Sequence, residues 1–500
     1  MIAACVARLR ATLHTAWRMV CAHAVLCCLT ACAVGPDYRR SSVQVPETFK
    51  EGVEWQRAHA NPQGAISSAW WLQYNDDELS RLVDAALAAN QSIAAAEANH
   101  RLAQAMVAAS VASLYPTVSA GFSGTRAQTA LGESTAGTIA GTNTVISANV
   151  SASWEPDLWG QIRREIESSK ASAQASDAEL AGERLSIAAS VATDYFELRQ
   201  ADIDTDSLQQ QLEIDKRLLA MTQAGLALGT ASNDDLLTAE DTLDLVIADL
   251  QTTQTAREQD EHAIAVLTGV PPGSFSLAPR LDYKFAALAV PLVLPSELLE
   301  RRYDVVNAER TAAAANAKIG VAEAAFFPTL DLSAEGGFQH NALANLFSLP
   351  NRFWSVGPSL AETLFDGGAR SAAVREARAT YDSDVANYRQ TVLSAFQSVE
   401  NSLSSCNHLK EEAQAYAGIL RRNQSLFDSQ HAQYTLGTAS EQTLLTQQLI
   451  LLQAAQNLKD TQASLTTSTV TLIENLGGGW QWDNSKGAAV SNPMEPPGIK

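Results

Sequence analysis

A chain of 500 residues is too long for one compact core, and 35 Lys+Arg against 55 Asp+Glu give a formal net charge of −20. That balance excludes the basic face a nucleic-acid surface needs. Aromatics at 6% and hydrophobic residues at 46% favour long helices with small residues at their contacts. They exclude bulk disorder and a helical membrane protein.

The first 31 residues read as a processing signal. Arg8, Arg10 and Arg18 precede an apolar run from Met19 to Leu29, and no acid occurs before Asp37. Leu29-Thr30-Ala31-Cys32 matches a lipobox, in which the cysteine becomes a lipid-carrying N-terminus. An ordinary secretory signal or a membrane anchor are the alternatives, but the run is short for a bilayer span. Cleavage before Cys32 removes three Arg and no acid, taking the charge from −20 to −23. It leaves Cys32 and Cys406, so no internal disulfide is available and packing or assembly must hold the chain. Position 33 is Ala, not the Asp that often retains bacterial lipoproteins in the inner membrane. The expectation is therefore an outer-membrane, lipid-anchored protein.

Further along, the chain is written twice. Leu228-Gly229-Thr230-Ala231-Ser232 recurs 208 residues later as Leu436-Gly437-Thr438-Ala439-Ser440, and eight of the eleven positions from 228 to 238 are identical in the second window. Tyr115-Pro116-Thr117 likewise matches Phe327-Pro328-Thr329. All 16 prolines lie outside 157–270 and 359–492, and within those stretches apolar residues recur at helical spacing. The repeated motif breaks each stretch once: glycine permits a C-cap, and Ser232 or Ser440 can N-cap the next helix. Each copy is predicted to be a helical hairpin with one arm near 65 residues, or about 100 Å.

Before each hairpin the texture changes. Residues near 117–126 and 145–155, then near 329–340 and 353–365, alternate apolar with Ser, Thr, Asn or Gly. Period-two alternation over some ten residues fits a membrane barrel strand, although each segment alone equally fits a soluble hairpin. Trp154, Trp159 and Trp354 are candidate membrane-interface aromatics, with a buried core role as the alternative for Trp154 and Trp159. Four strands cannot close a membrane barrel, and an open edge in lipid is prohibitive. Two chains would supply eight strands and three twelve; only the wider barrel leaves a water-filled interior.

At the hairpin turns, Asp234, Asp235 and Glu441 admit two readings: acids favoured in a first helical turn, or, once several chains assemble, a carboxylate ring at a narrow mouth. No His-Glu-x-x-His, cysteine cluster, Gly-x-Ser-x-Gly elbow, phosphate loop or dinucleotide fingerprint is present, so an enzyme is not expected. No catalytic residue, metal site or cofactor is assigned, apart from the covalent lipid on Cys32. Only Met106, Met221 and Met494 follow the lipobox, which offers no methionine path for copper.

These features resemble the TolC-like outer-membrane efflux proteins, in their lipoprotein branch of resistance–nodulation–division efflux systems. The similarity rests on Cys32-Ala33-Val34-Gly35-Pro36-Asp37-Tyr38, Trp70-Trp71, Asn90-Gln91-Ser92-Ile93 and Trp154-Glu155-Pro156-Asp157-Leu158-Trp159-Gly160. It continues through Leu294-Pro295-Ser296-Glu297-Leu298-Leu299, Ala308-Glu309-Arg310, Phe326-Phe327-Pro328 and Phe365-Asp366-Gly367-Gly368. The resemblance implies a mostly helical, internally duplicated homotrimer with a 12-stranded β-barrel continuous with a long periplasmic α-helical barrel. It implies a channel in the outer-membrane lipid that works with a periplasmic adaptor and an inner-membrane pump, and passively conducts drugs or other small toxic compounds. Protein secretion or metal-ion efflux are the alternatives. By match, the turns Leu228 to Ser232 and Leu436 to Ser440 meet the adaptor. Related sequences often read Arg-Arg-Pro-Asp where this one has Arg301-Arg302-Tyr303-Asp304, and carry an aspartate where this one has Thr446, which leaves a mouth closed by that aspartate in question. The implied division is signal peptide 1–31, equatorial segment 32–75, first repeat 76–270, inter-repeat equatorial segment 271–297, second repeat 298–477 and tail 478–500.

Overall fold

The computed structural model describes residues 33–47, 49–51, 67–128, 142–286, 288, 290 and 300–480. The lipobox Leu29, Thr30, Ala31 and Cys32 lie outside the described residues, as do 291–299 and 481–500. Helices α1 (Asp77–Ala89) and α2 (Gln91–Ala112) lead into strands β1 (Thr117–Gln128) and β2 (Thr142–Trp154), then into α3 (Gln161–Ala227) and α4 (Asn233–Leu267). The second half runs α5 (Tyr303–Ala324), β3 (Thr329–His340), β4 (Arg352–Ala361), α6 (Ala369–Thr435) and α7 (Glu441–Asn475). Both ends of α6 and of α7 are those of α3 and α4 displaced by 208, the spacing of the sequence repeat. By contrast α5 and β3 are displaced from α2 and β1 by 212, so the second copy drops four residues between the end of β3 and the start of α6.

The long arms α3 and α6 have 67 residues each, about 100 Å at 1.5 Å per residue. No helix among the described residues is long and apolar enough to cross a membrane. The four strands form one antiparallel sheet in the order β1-β2-β3-β4. Strand β4 ends at Ala361, short of the residue 365 expected from sequence. Ala361 pairs with Thr329, the first residue of β3, and Pro328 before it has no N–H with which to extend the ladder. Strands β1 and β2 run further than the alternation suggested, to Gln128 and from Thr142, which pair with each other.

Aromatic residues are few, yet they are concentrated. Trp70, Trp71 and Tyr74 pack with Leu79 and Leu82 of α1 against Tyr195, Phe196 and Leu198 of α3, in a cluster that also holds Val392 and Phe396 of α6 and Val470 of α7. The Tyr74 and Phe196 rings lie 4.9 Å apart and those of Trp70 and Trp71 5.8 Å, both in favourable tilted or edge arrangements. Scarce as aromatics are in the chain, locally they build a dense core where the long helices converge.

Beside that cluster lies an ionic hub. Arg199 is fully buried and donates to Asp202 (2.8 Å), Glu78 (2.6 Å) and the carbonyl of Ala278 (2.8 Å). Arg257 of α4 donates to Asp202 (2.6 Å) and to the carbonyl of Leu277 (2.7 Å), and the Arg280 N–H donates to Asp202 (2.9 Å). The inter-repeat segment is thus strapped to α3 and α4 by charge-assisted bonds that satisfy its own backbone. On the second repeat the strap is the N-terminal segment: Glu400 accepts from the Lys50 and Glu51 N–H groups, and Asn407 donates to the Glu51 carbonyl. Higher up, Arg164 donates to the carbonyls of Val34 and Gly35 and to Asp37, while Tyr38 donates to Glu309. Gly35, at φ +98°, passes so close to Gly320 that a Cβ would sit 2.4 Å from its Cα, so both positions need glycine.

Candidate conduit: sheet faces, junctions and helical tips

The register sorts the sheet into two chemically distinct faces. One row across the strands is Ala120, Val150, Gly336 and Trp354, and the next row outward is Phe122, Ala148, Phe338 and Arg352. That face is apolar from its middle toward the helices, with Val118, Leu332 and Leu360 nearest them, and carries Arg126, His340 and Arg352 at the loop end. The opposite face carries Ser119, Ser123, Ser147, Ser151, Asn149, Asp331 and Glu335. Its side chains bond to one another: Ser119 with Ser151 at 2.8 Å, Ser123 with Ser147 at 2.9 Å, Asn149 donating to Glu335 at 2.6 Å and Ser153 to Asp331 at 3.0 Å. Both faces are largely open in the single chain, and Phe122, Trp354 and Val356 are among its most exposed apolar residues. Asn149, Asp331 and Glu335 were not singled out from sequence. Their signal was present, as the amide and the carboxylates that interrupt a Ser/Gly/Ala alternation.

Each strand turns into its long helix through an aspartate and a glycine. Gly160 and Gly368, at φ +85° and +92°, precede α3 and α6. Asp157 accepts from the N–H groups of Ile162 and Arg163, and Asp366 from those of Gly368 and Arg370. These carboxylates satisfy orphan donors at the helix N-termini. Bonds from the Arg370 side chain and from backbone N–H groups hold the Asp366 carboxyl down to about 2. This explains the two sequence motifs physically. Trp159 lies past the end of β2, stacks on Phe327 at 4.8 Å and donates to the Pro328 carbonyl. Trp154 closes β2 on the apolar face and donates to the Leu114 carbonyl, whereas Trp354 stands 74% exposed near the start of β4. Ala33 lies against Gly160, so the N-terminal segment passes at this same level.

At the far end of the helices the two turns are built alike. The Gly229 N–H donates to the Leu226 carbonyl and the Thr230 N–H to that of Gly225; Gly437 and Thr438 do the same to Tyr434 and Gln433. With φ +76° and +71° at the glycines, both are Schellman C-caps. Thr230 and Thr438 add hydroxyl bonds to the same carbonyls, at 3.1 and 3.0 Å. Ser232 and Ser440 then N-cap the returning helices. Gly, Thr and Ser in the motif are thereby accounted for within the chain. Leu228 and Leu436 are not: each is 79% exposed at a tip.

The acids beside the turns divide. The Asp235 carboxylate accepts from the Ser232 N–H and hydroxyl, which completes a capping box and holds its pKa below the ordinary range. Asp234 occupies the same first turn. Glu441 pairs with Arg217 and so joins α7 to α3. Thr446 donates to the Gln442 carbonyl. Tyr303 packs its ring over Gly182 of α3, where a Cβ would lie 2.2 Å from the ring.

A family model described as outer membrane efflux protein matches residues 82–270 and 294–478. The probable efflux pump outer membrane protein TtgC of Pseudomonas putida is 29% identical over 456 residues, covering 90% of this chain and 93% of the relative. The cation efflux system protein CusC of Escherichia coli is 25% identical over 458 residues, covering 91% and 97%. Among solved structures, the outer-membrane channel OprN superposes with a TM-score of 0.78 at 29% identity, covering 90% of this chain and all of the other. The MtrE channel of Neisseria gonorrhoeae in its open state gives 0.76 at 26% identity, covering 90% and 99%.

Proposed function

We infer the assembly and its working parts from one premise: the chain belongs to the outer membrane efflux protein family, and is the outer-membrane channel component of a tripartite efflux system. The assembly is a homotrimer in which three four-stranded sheets close a 12-stranded barrel, apolar face to lipid and polar face to water. The observation that carries this reading is the sorting of the sheet by register into an apolar and a hydrogen-bonded polar face, with β1 and β4 left as edges. An edge in lipid must be paired, and copies of the same chain offer the matching edge.

Internal duplication says how the copies meet. Within the chain α3 packs on α5 and on α7 of the second repeat. By the same relation α6 packs on α2 and α4 of the next copy, and β4 pairs with its β1. Cys32 carries the lipid anchor, next to Ala33 at the foot of the barrel. The polar strand face and the helices conduct drugs or other small toxic compounds passively; the pump does the work and the channel contributes no chemistry. The names of relatives span toluene, antibiotic, pyoverdine and cation efflux. Metal-ion export is the narrower alternative, suggested by CusC.

The adaptor docks on the hairpin tips, and the contact is Leu228 and Leu436, the tip residues that intrachain capping leaves unexplained. Replacing both by Asp is expected to leave membrane trimer unchanged and to abolish efflux, read as dye retained in cells that also express the pump and adaptor. Normal efflux with both tips charged would remove the docking assignment.

A further inference from the structure

We propose that the apolar face of the sheet carries a built lipid site, which takes an acyl chain in a groove across the strands and the phosphate of the same lipid on Arg352. The inference rests on the barrel reading above, in which the segment between β3 and β4 lies outside the cell.

The groove has a volume of about 740 Å³, within the roughly 300–1,000 Å³ of small-molecule sites. Its floor is Ala120, Ala148 and Gly336, small residues that the register sets side by side in two adjacent rows. Its walls are Phe338, Phe347 and Trp354. Phe347 comes from the β3–β4 connection and folds back onto the sheet, edge-on to Phe338 at 5.5 Å, while remaining 68% exposed. Two large rings left open around a floor of small residues solve no packing problem inside the chain. They do fit an alkyl chain laid across the strands.

The charges at the two ends of the face differ. At the helix end, arginines are neutralised within the chain: Arg163 by Asp157 at 3.1 Å and Arg370 by Asp366 at 2.7 Å. At the loop end, Arg126 and Arg352 stand on the apolar face with no ion pair or hydrogen bond to another described side chain. His340 lies one row beyond Phe338 on the same face. A cation at the boundary of a hydrocarbon layer needs a counter-ion, and a guanidinium matches phosphate with two parallel donors. The outer leaflet of such a membrane supplies that group on phosphorylated glycolipid. Arg352 both rims the groove and carries a charge with no partner among the described side chains, so one lipid satisfies both.

The test is native mass spectrometry of the detergent-purified full-length assembly, titrated with bis-phosphorylated lipid A, its dephosphorylated form, phosphatidylglycerol or inorganic phosphate. Retention of lipid A at least tenfold above the dephosphorylated form and phosphatidylglycerol is expected, with no displacement by inorganic phosphate. Arg352→Gln is expected to lower that preference at least fivefold. Gly336→Val is expected to weaken both lipid A forms; a Cβ there meets nothing closer than 3.8 Å, so the sheet tolerates it. Equal retention of phosphorylated and dephosphorylated lipid, equal behaviour of Arg352→Gln, or equal binding of phosphatidylglycerol overturns the site. Conductance in planar bilayers is recorded on the same preparations: channels that conduct without lipid preference remove this site alone, whereas failure to insert removes the barrel reading and the site with it.

Discussion

Residues 199 and 407 occupy the same place in two copies of one helix, and they are held in opposite ways. Arg199 is buried among carboxylates and carbonyls; Asn407 makes one exposed bond to Glu51. The partners diverge too, since Asp202, Arg257 and Glu261 correspond to Lys410, Leu465 and Thr469. Each helix at that level must be strapped by a non-helical segment, but the first repeat receives the inter-repeat segment in its interior and the second receives the N-terminal segment on its surface. The junctions show the same divergence. Trp159 stacks on Phe327 within the chain, while Phe365, the aromatic residue of the second junction, is 89% exposed. In the proposed trimer Phe365 would instead meet Tyr115, the equivalent of Phe327 at the 212-residue offset, of the next copy. In that proposal duplication satisfies each contact once internally and leaves the other to assembly.

The comparison can be broken most severely at the hub. Arg199→Met should destabilise the protein by about 3 kcal/mol, the lower end for a broken buried pair because Arg257 and the Arg280 N–H still face Asp202. Asn407→Ala should cost about 1 kcal/mol or less. Thermal unfolding of the purified protein followed by circular dichroism reads both, and equal losses would erase the distinction between the straps. At the junctions, Trp159→Ser is expected to cost about 2 kcal/mol in the folded chain by loss of a stacked, hydrogen-bonded ring. Phe365→Ser should leave chain stability alone and weaken assembly by a similar amount, read as the trimer fraction on native gels over a dilution series. A stable trimer carrying Phe365→Ser would show that this junction is not an interface.

The smallest expected effect separates the two helical seams. Within the chain, Asp204 of α3 faces Asp460 of α7, with Gln200, Gln456 and Lys459 around them. Burial first, then the Asp460 charge, pushes Asp204 up to about 7, and burial likewise raises Asp460. A raised carboxyl stabilises fully below its ordinary value near 3.8 and loses that contribution as pH climbs through about 7. The equivalent positions, Glu412 and Thr252, hold no such acid pair. Amide exchange near 200–208, corrected for intrinsic rates, should therefore quicken between about pH 5 and about pH 8 more than exchange near 408–416. Asp204→Asn should abolish that difference; a wild-type seam insensitive to pH would contradict it.

Much of the architecture was legible because its causes are local. Proline exclusion and the Leu-Gly-Thr-Ala-Ser motif mark where helices cannot bend and where they must end, and the turns are closed by their own glycine, threonine and serine. Strand alternation was legible in period, less so in extent: Pro328 ends the β3–β4 ladder from the partner strand, which no reading of residues 362–365 reveals. The hub was not legible, because Arg199 meets Glu78, Asp202, Arg257 and the 277–280 backbone only after four distant segments converge.

Taken alone, the sequence determined that this chain is duplicated, that its helices are far longer than a globular core needs, and that its strands are too few to enclose anything. Those properties depend on the residue type at each position and on covalent spacing. The tertiary structure decided which contacts the chain can complete for itself and which it must leave open. That outcome depends on register, and register is set by the packing of both repeats against each other: it gathers the large apolar side chains of the sheet on one face, Val145 and Phe353 excepted, puts its carboxylates on the other, and leaves an open strand edge at each side.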